Sequence, residues 1–329
     1  MKSRSALVLW LSVAVLLLTV LSLMAGRTGL SMPMELFGAD VEARELARLI
    51  LTELRLPRTL LGLLVGASLG LCGAVLQGLT RNPLAEPGLL GVSSGAALGA
   101  VIAIYSGIGV TLPLAVPIAG LVGALIASLL TLALGAGGGL LVLVLAGAAV
   151  SALMVTGTAL ALNLAPNPYA VWEISQWLLG SLTDRSWQQL LLALPFMSLG
   201  IALLAGCGSG LNALSLGELT AASLGVDLRR LRWQALAGTA LAVGAGTAVT
   251  GAIGFIGLLA PHLVRAPAGH EPSRVLLPSA LMGAALLLAA DIATRLLPFA
   301  QELKLGVLTG FVGAPFFVML VLRMKRESP

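Results

Sequence analysis

The chain has 329 residues, of which 58% are hydrophobic and only 10% are charged, and its net charge is +5 at pH 7. Because about a quarter of the residues in an ordinary soluble domain are charged, this composition excludes a soluble globular protein and indicates that lipid surrounds much of the chain. The excess of basic residues does not indicate a nucleic-acid partner, because in a membrane protein the position of Lys and Arg matters more than their number. The apolar runs are long and do not alternate, which favours helices over barrel strands.

Ten apolar segments follow one another along the chain, and each is predicted to be a helix. The eighth is too short to cross the hydrocarbon layer alone, which takes about 20 residues. The first follows Lys2 and Arg4 but is long for the apolar core of a signal peptide, so we predict a retained helix. The ten segments cover residues 6–26, 59–79, 88–106, 113–134, 140–164, 188–206, 232–252, 254–264, 276–297 and 305–322.

The stretch RNPLAEPG (81–88) interrupts the apolar pattern after the second segment. Pro83 and Pro87 cannot continue a helix, and the side chains of Asn82 and Glu86 can hydrogen-bond free backbone groups, so we predict a turn. Glycines at spacings of three and four on both sides of this turn predict smooth helix faces for close packing. They are Gly62, Gly66, Gly70, Gly73, Gly88, Gly91, Gly95 and Gly99.

The connector NALSLGELTAASLGVDLRRLR (212–232) predicts two short helices. Ser215 or Gly217 can begin a helix that ends at Gly225, and Asp227 can cap the next helix. We predict that the small residues of this connector are exposed for docking, the alternative being an ordinary amphipathic connector. Those small residues are Gly217, Ala221 and Ala222.

A second connector, NPYAVWEISQWLLGSLTDRSWQ (167–188), carries Trp172, Trp177 and Trp187. Tryptophan favours the membrane interface. The sequence therefore predicts a short helix along the outer surface, which is either a gate element or part of an aromatic belt.

The sequence contains no recognisable catalytic set, and we predict that the chain binds no cofactor or metal. The two cysteines are far apart and lack metal-ligand spacing. No P-loop motif is present, so any ATP must be bound by another subunit. Nearly every acidic residue lies in a loop or at a helix end, which argues against an intramembrane proton relay. Asp291 and Arg295, four residues apart in the ninth segment, can form an ion pair.

The distribution of basic residues predicts the orientation of the chain. With the N-terminus inside the cell, eleven Lys and Arg residues lie in inside segments and eight in outside segments. The positive-inside rule therefore favours both termini in the cytoplasm, which requires an even number of crossings. The outside basic residues are Arg27, Arg44, Arg48, Arg55, Arg58, Arg185, Arg295 and Lys304, and the first outside loop also carries the acids Glu35, Asp40, Glu42, Glu45 and Glu53.

Several stretches together resemble the FecCD family, the membrane subunits of ABC importers for ferric siderophores, haem and cobalamin. The resemblance covers residues 50–323, with the motifs in the same order. It implies an all-α integral membrane protein of about ten transmembrane helices, with short coupling and interfacial helices, that forms a single permease domain over 1–329 in the bacterial inner membrane. The stretches include LRLPRTLLGLLVGASLGLCGAVLQGLTRNPLAEPGLLGVSSGAALGA, GELTAASLGVD, GAIGFIGLLAPHLVR, LLPSALMGAALLLAADIATR and ELKLGVLTGFVGAPFF.

The resemblance also implies partners. Members of the family act as homodimers or as pairs of related subunits, with two ATP-binding cassette ATPase subunits in the cytoplasm. A periplasmic substrate-binding protein docks on the other side and delivers the metal chelate. The path runs along the interface between the two permease subunits, and ATP binding and hydrolysis switch it between outward and inward openings.

Residue by residue, the resemblance implies roles at both ends of the protein. Arg55, Arg58 and Arg295 match outer arginines that pair with glutamates of the binding protein through directed, bidentate bonds; anchoring to lipid headgroups is the alternative. Asn82 and Leu84 match residues of the inner gate. Relatives often carry hydroxyl and basic residues in the turn before the fifth helix, whereas this chain has GAGGGLLV (135–142) there.

Two further sets of residues are assigned by the resemblance. One set matches the coupling helix that contacts the ATPase, and it comprises Leu216, Gly217, Glu218, Ala221, Ala222, Leu224 and Gly225. The other set contains the polar residues of the elements that line the path or form its outer gate, and it comprises Ser151, Thr156, Thr158, Asn163 and Thr309.

The resemblance implies a permease subunit, without enzymatic activity of its own, that moves an iron(III) chelate (a siderophore complex or haem) from periplasm to cytoplasm, since iron chelates are the commoner cargo of the family. A cobalamin importer permease is the alternative within the same class. A proton-coupled secondary carrier would act without an ATPase, and a membrane enzyme would need a catalytic set that the sequence does not display.

Overall fold

The computed structural model describes residues 2–26, 41–298 and 301–327, and these ranges contain helices and no β-strand. All ten predicted segments are helical. By length and composition, six helices in these ranges can cross a membrane, and two shorter helices, Val92–Tyr105 and Leu305–Leu320, are also apolar. The outer-loop residues Arg27, Glu35 and Asp40 lie outside the described residues.

Long helices alternate with short connecting helices along the chain. A π-helical turn, Ile50–Arg55, joins α2 to α3, and a 3₁₀ turn, Pro87–Leu90, precedes α4. The α-helices are α1 (Lys2–Met24), α2 (Val41–Leu49), α3 (Leu56–Thr80), α4 (Val92–Tyr105), α5 (Ile108–Thr111), α6 (Ala115–Gly135), α7 (Leu140–Asn163), α8 (Pro168–Leu178), α9 (Trp187–Ala205), α10 (Gly208–Leu214), α11 (Glu218–Ser223), α12 (Leu228–Thr250), α13 (Ile256–Ala268), α14 (Pro272–Leu296) and α15 (Leu305–Glu327).

Helix α3 is a central element of the bundle and packs on α14, α13, α12 and α9. The glycines of α3 allow this approach, as predicted: a Cβ atom at Gly66 would lie 2.5 Å from the carbonyl oxygen of Gly283, and one at Gly70 would lie 2.0 Å from that of Ser279. Without a hydrophobic driving force between helices in lipid, such close backbone contact contributes much of the packing energy.

The turn after α3 differs in part from the prediction. Gly91 has φ +75° and α4 begins at Val92, so the prediction that Gly88 and Gly91 continue one glycine face of a helix is wrong. The conformation favours glycine at Gly91 because residues with a Cβ atom rarely adopt positive φ. Gly95 and Gly99 do form a close contact, with Gly123 and Ala119 of α6.

The short elements form largely where they were predicted. Asp227 Oδ1 accepts a hydrogen bond of 3.0 Å from the Arg230 amide and begins α12. Asn167 caps α8 in the same way through the Ala170 amide, at 2.8 Å. Helix α13 is 13 residues long, in keeping with the half-length element predicted there.

Candidate functional site

Two groups of side chains stand out at opposite ends of the bundle. One lies where α1 ends and α3 begins, which the topology predicts to be the periplasmic end. The other surrounds the turn 81–86 and helix α11, at the predicted cytoplasmic end. Each contains residues to which the sequence assigns a role.

A network of ion pairs forms the group at the predicted periplasmic end. Arg58 donates to Asp291 Oδ1 from both Nε (3.0 Å) and Nη2 (2.7 Å), and its Nη2 also contacts Glu302 Oε1 at 2.5 Å. Arg295 pairs with the other carboxylate oxygen of Asp291, as predicted from their spacing. The network therefore holds two positive and two negative side chains, and its formal charges cancel.

Arg295 of this network and a third arginine, Arg55, also bond to the end of α1. Arg295 donates to the Ser22 carbonyl at 2.7 Å, and Arg55 donates to the carbonyls of Leu23 and Met24 at 2.9 and 2.6 Å. The last carbonyls of a helix have no partner within the helix. The arginines supply that partner and so hold α1 against α3 and α14.

The structure brings the three predicted docking arginines together and buries them. Arg55 is 8% exposed and Arg295 is 6% exposed, while the side chain of Arg58 keeps 13% of its surface. Their guanidinium groups bond to protein atoms of the same chain. Docking by these residues stays a prediction, and Arg58 is the most exposed of the three.

Sequence reasoning missed Glu302, which completes the network from the loop between α14 and α15. Its Oε2 accepts a 2.9 Å bond from Thr183, so it also joins the loop after α8. Burial alone would raise the pKa of the Glu302 carboxyl, but the hydrogen bond and charge of Arg58 outweigh burial and hold that pKa below its ordinary value. The available signal in the sequence was that Glu302 lies two residues before Lys304, in a loop that is predicted to be outside.

Helix α11 dominates the group at the predicted cytoplasmic end. Gly217 and Gly225, at φ +108° and +82°, bound the helix, and Glu218 pairs with Arg232 of α12 at 2.9 Å. Ala222 is exposed, but Ala221 is fully buried. The prediction that Ala221 is exposed for docking is therefore wrong, because this side of α11 packs against the bundle.

Leucines, more than small residues, form the outer surface of this segment. Leu216, Leu219 and Leu224 are 65%, 87% and 62% exposed. Sequence reasoning named the first and last of these and missed Leu219, the most exposed. One of these leucines lies within the short helix and the other two flank it, and a group of exposed apolar residues is a feature that marks interaction sites.

The predicted inner-gate residues belong to the turn after α3. Asn82 is exposed, and its Oδ1 accepts a hydrogen bond of 2.9 Å from the Leu84 amide, which confirms the predicted backbone bond. Leu84 is partly buried. The two residues therefore form one local unit, in which the Asn82 side chain fixes the position of Leu84.

The predicted pathway residues fall into two groups. Thr158 and Thr309 are buried, and their hydroxyls bond to the carbonyls of Met154 (3.0 Å) and Gly306 (3.2 Å). Those that reach or approach the surface of α7 are Ser151, whose hydroxyl is 2.9 Å from that of Ser94, and the exposed Thr156 and Asn163.

The helical bundle and its membrane-length apolar helices are those of a multi-pass integral membrane protein. The family model described as the FecCD transport family matches residues 13–323. The chain belongs to this family of ABC transporter permeases.

Relatives of known name extend over nearly the whole chain. The vitamin B12 import system permease protein BtuC of Escherichia coli O9:H4 (strain HS) is 41% identical, covering 97% of this chain and 95% of the relative. The hemin transport system permease protein HmuU of Yersinia pestis is 39% identical, covering 83% of each chain. A solved structure of an inward-facing metal-chelate type ABC transporter has a TM-score of 0.86 at 31% identity, covering 97% of this chain and 99% of its own.

Proposed function

We propose that this chain is the permease of an ATP-driven importer that carries a metal chelate into the cytoplasm, with iron(III) chelates (siderophore complexes or haem) as the first cargo class. The observation that carries the proposal is the full-length likeness to a metal-chelate type ABC transporter, with a TM-score of 0.86. The similarity to a hemin permease supports iron chelates in particular.

Cobalamin is the second candidate cargo. It is supported by the similarity to a vitamin B12 permease, which covers 97% of the chain, whereas the similarity to the hemin permease covers 83%. Both cargoes are large molecules with a metal centre. The same path between two subunits suits either of them.

The importer would contain two copies of this chain, two ATPase subunits and a periplasmic binding protein, with both termini in the cytoplasm. Exposed apolar residues on α7 and α15, such as Leu153 (62%), Phe311 (80%) and Val312 (59%), suit a second permease copy. Polar Thr156 and Asn163 lie on the exposed side of α7, where a path between two copies would run. Asn82 and Leu84 would close that path at its inner end.

Docking of the binding protein would centre on Arg58. Its guanidinium already binds two carboxylates and retains some exposed surface, so a glutamate of the partner can join the network from outside. Arg55 and Arg295 would position Arg58 by holding α1 and α14 in place. Such charged contacts contribute chiefly to orientation and association rate.

Reconstitution in proteoliposomes tests the proposed function. With an ATPase and a binding protein from the same genome, we expect uptake of a labelled ferric siderophore, haem or cobalamin that requires ATP. The cargo that is accumulated identifies the substrate class. Uptake by the chain alone, driven by a proton gradient without ATP, would contradict the importer and favour a secondary carrier.

Replacing Leu219 by Ser is expected to reduce co-purification of the ATPase and to lower ATP-driven uptake about tenfold or more. The physical reason is that fully burying a leucine side chain against a partner contributes about 1.5–3 kcal/mol. Co-purification from detergent and proteoliposome uptake are the measurements.

Leu112 provides the matched control, since it is 60% exposed at the opposite predicted end. Replacing Leu112 by Ser should leave ATPase co-purification unchanged. Equal retention of the ATPase by both variants would show that α11 is not the coupling contact.

A further inference from the structure

A cavity of about 250 Å³ opens behind the turn that follows α3, at the predicted cytoplasmic end. Its walls come from the end of α3, the turn itself, Ser215 before α11, the end of α13 and the start of α14. Five separate segments therefore meet around one space. Neither the proposed path nor the predicted coupling contact makes use of it.

The cavity is lined by two arginines and a histidine, without a compensating carboxylate. Arg81, Arg265 and His270 line it, and no acidic residue does. Within the described ranges, neither arginine forms an ion pair. The neighbouring acid, Glu271, is already bound by Asn212 (2.8 Å) and by Arg274.

Gln77 adds to the excess of donors in the wall. Its Oε1 accepts a hydrogen bond from Arg265 Nη2, which fixes the orientation of the amide because a guanidinium can only donate. The Gln77 Nε2 group is buried and finds no acceptor among the described residues. Buried polar groups in native proteins are nearly always satisfied, so the amide nitrogen of this cavity-lining residue lacks an acceptor.

The start of α14 also places positive charge at the wall of the cavity. Pro272 and Val275 of its first turn line the cavity, and α14 is 25 residues long. The N-terminus of a helix carries a partial positive charge, which favours bound anions. The first amides of α14 do not add donors, because Pro272 has no N–H and the amides of Ser273 and Arg274 bond to Asn212 Oδ1 (2.8 Å) and to the Glu271 carbonyl (2.9 Å). Two arginines, a histidine and a helix N-terminus around one space are the elements from which phosphate sites are built.

We propose that this cavity binds a phosphate-type oxyanion, either free inorganic phosphate or the phosphate of an anionic phospholipid headgroup. Arg81 and Arg265 would supply the charge-assisted hydrogen bonds, and His270 would supply a third donor. Because Arg81 and Pro83 flank Asn82, an occupied site joins the turn 81–86 to α13 and α14. The bound anion thereby stabilises one position of that turn.

Thermal unfolding of the purified full chain tests the proposal, with the buried Cys72 and Cys207 as reporters that react with a fluorogenic thiol dye on unfolding. In delipidated detergent solution, chloride is exchanged for phosphate at constant ionic strength. In a second arm, nanodiscs of phosphatidylglycerol are compared with nanodiscs of phosphatidylcholine. We expect the unfolding midpoint to rise by about 2 °C or more in at least one arm.

Variants separate a specific site from the general stabilising effect of phosphate as a salt. Arg81→Gln, at an exposed turn position, and Arg265→Gln should each lose the rise, whereas Arg230→Gln, an exposed arginine at the same end that does not line the cavity, should keep it. A rise with phosphate identifies the free ion, and a rise only with phosphatidylglycerol identifies the lipid headgroup.

No rise in either arm, or an equal rise in Arg81→Gln and the wild type, overturns the proposal. Arg81→Gln keeps the test decisive if Arg265→Gln fails to fold. The measurement requires no transport partner, so its failure would leave the proposed importer function untouched.

Discussion

Replacing Asp291 by Asn is expected to lower the free energy of unfolding by about 3–5 kcal/mol, because breaking a buried ion pair leaves an uncompensated buried charge. Asp291 is fully buried and is the shared partner of Arg58 and Arg295. Without its charge, two arginines face Glu302 alone and the network carries a net charge of about +1 by formal count. Titration with denaturing detergent in mixed micelles, followed by helicity, measures the change.

A double variant shows whether charge balance is the cause. Adding Arg58→Gln to Asp291→Asn leaves one arginine and one carboxylate, and should recover part of the lost stability. Arg58 is the suitable choice because its hydrogen bonds to the described residues go to Asp291 and Glu302, whereas Arg295 also caps α1. A double variant no more stable than Asp291→Asn alone would refute this electrostatic account.

Replacing Gly73 by Ala is expected to destabilise the bundle by about 1–3 kcal/mol, the usual range for overpacking a tight core. The new Cβ atom would lie 1.8 Å from the carbonyl oxygen of Gly257 in α13, which is a backbone atom and cannot rotate away. Helices α3 and α13 would have to move apart. The midpoint of thermal unfolding, followed by thiol labelling of the buried cysteines, reports the loss.

Gly78 on the same helix is the matched control. A Cβ atom there would lie 3.4 Å from the side chain of Leu211, an ordinary contact, and Gly→Ala within a helix lowers the entropy of the unfolded chain. Gly78→Ala should therefore be neutral or stabilising. Equal losses for the two variants would mean that backbone proximity is not what Gly73 provides.

Much of the fold could be predicted from the sequence, because helix formation in lipid depends on local composition. The apolar runs, the prolines at 83 and 87, and the caps Asp227 and Asn167 act within a few residues of where they lie. The prediction that Gly88 and Gly91 share one helix face with the glycines that follow was wrong. The spacing of the glycines does not reveal that Gly91 adopts positive φ and ends a 3₁₀ turn.

The candidate site was predictable only in part. Asp291 and Arg295 are one helical turn apart, so their pairing follows from the sequence, whereas Arg58 and Glu302 are 244 residues apart and meet only when α3 and α14 pack. The burial of Ala221 and the exposure of Leu219 likewise depend on which side of α11 faces the bundle.

By itself, the sequence determined that this protein lies in a membrane and that it is helical, because these properties follow from the composition and the length of the apolar runs. Only the tertiary structure decided that the outer arginines hold α1 and Asp291 in a charge-balanced network, and that three basic side chains from separate elements share one cavity at the other end. The reason is that charge compensation and close helix packing are properties of distances between remote residues, which no local pattern specifies.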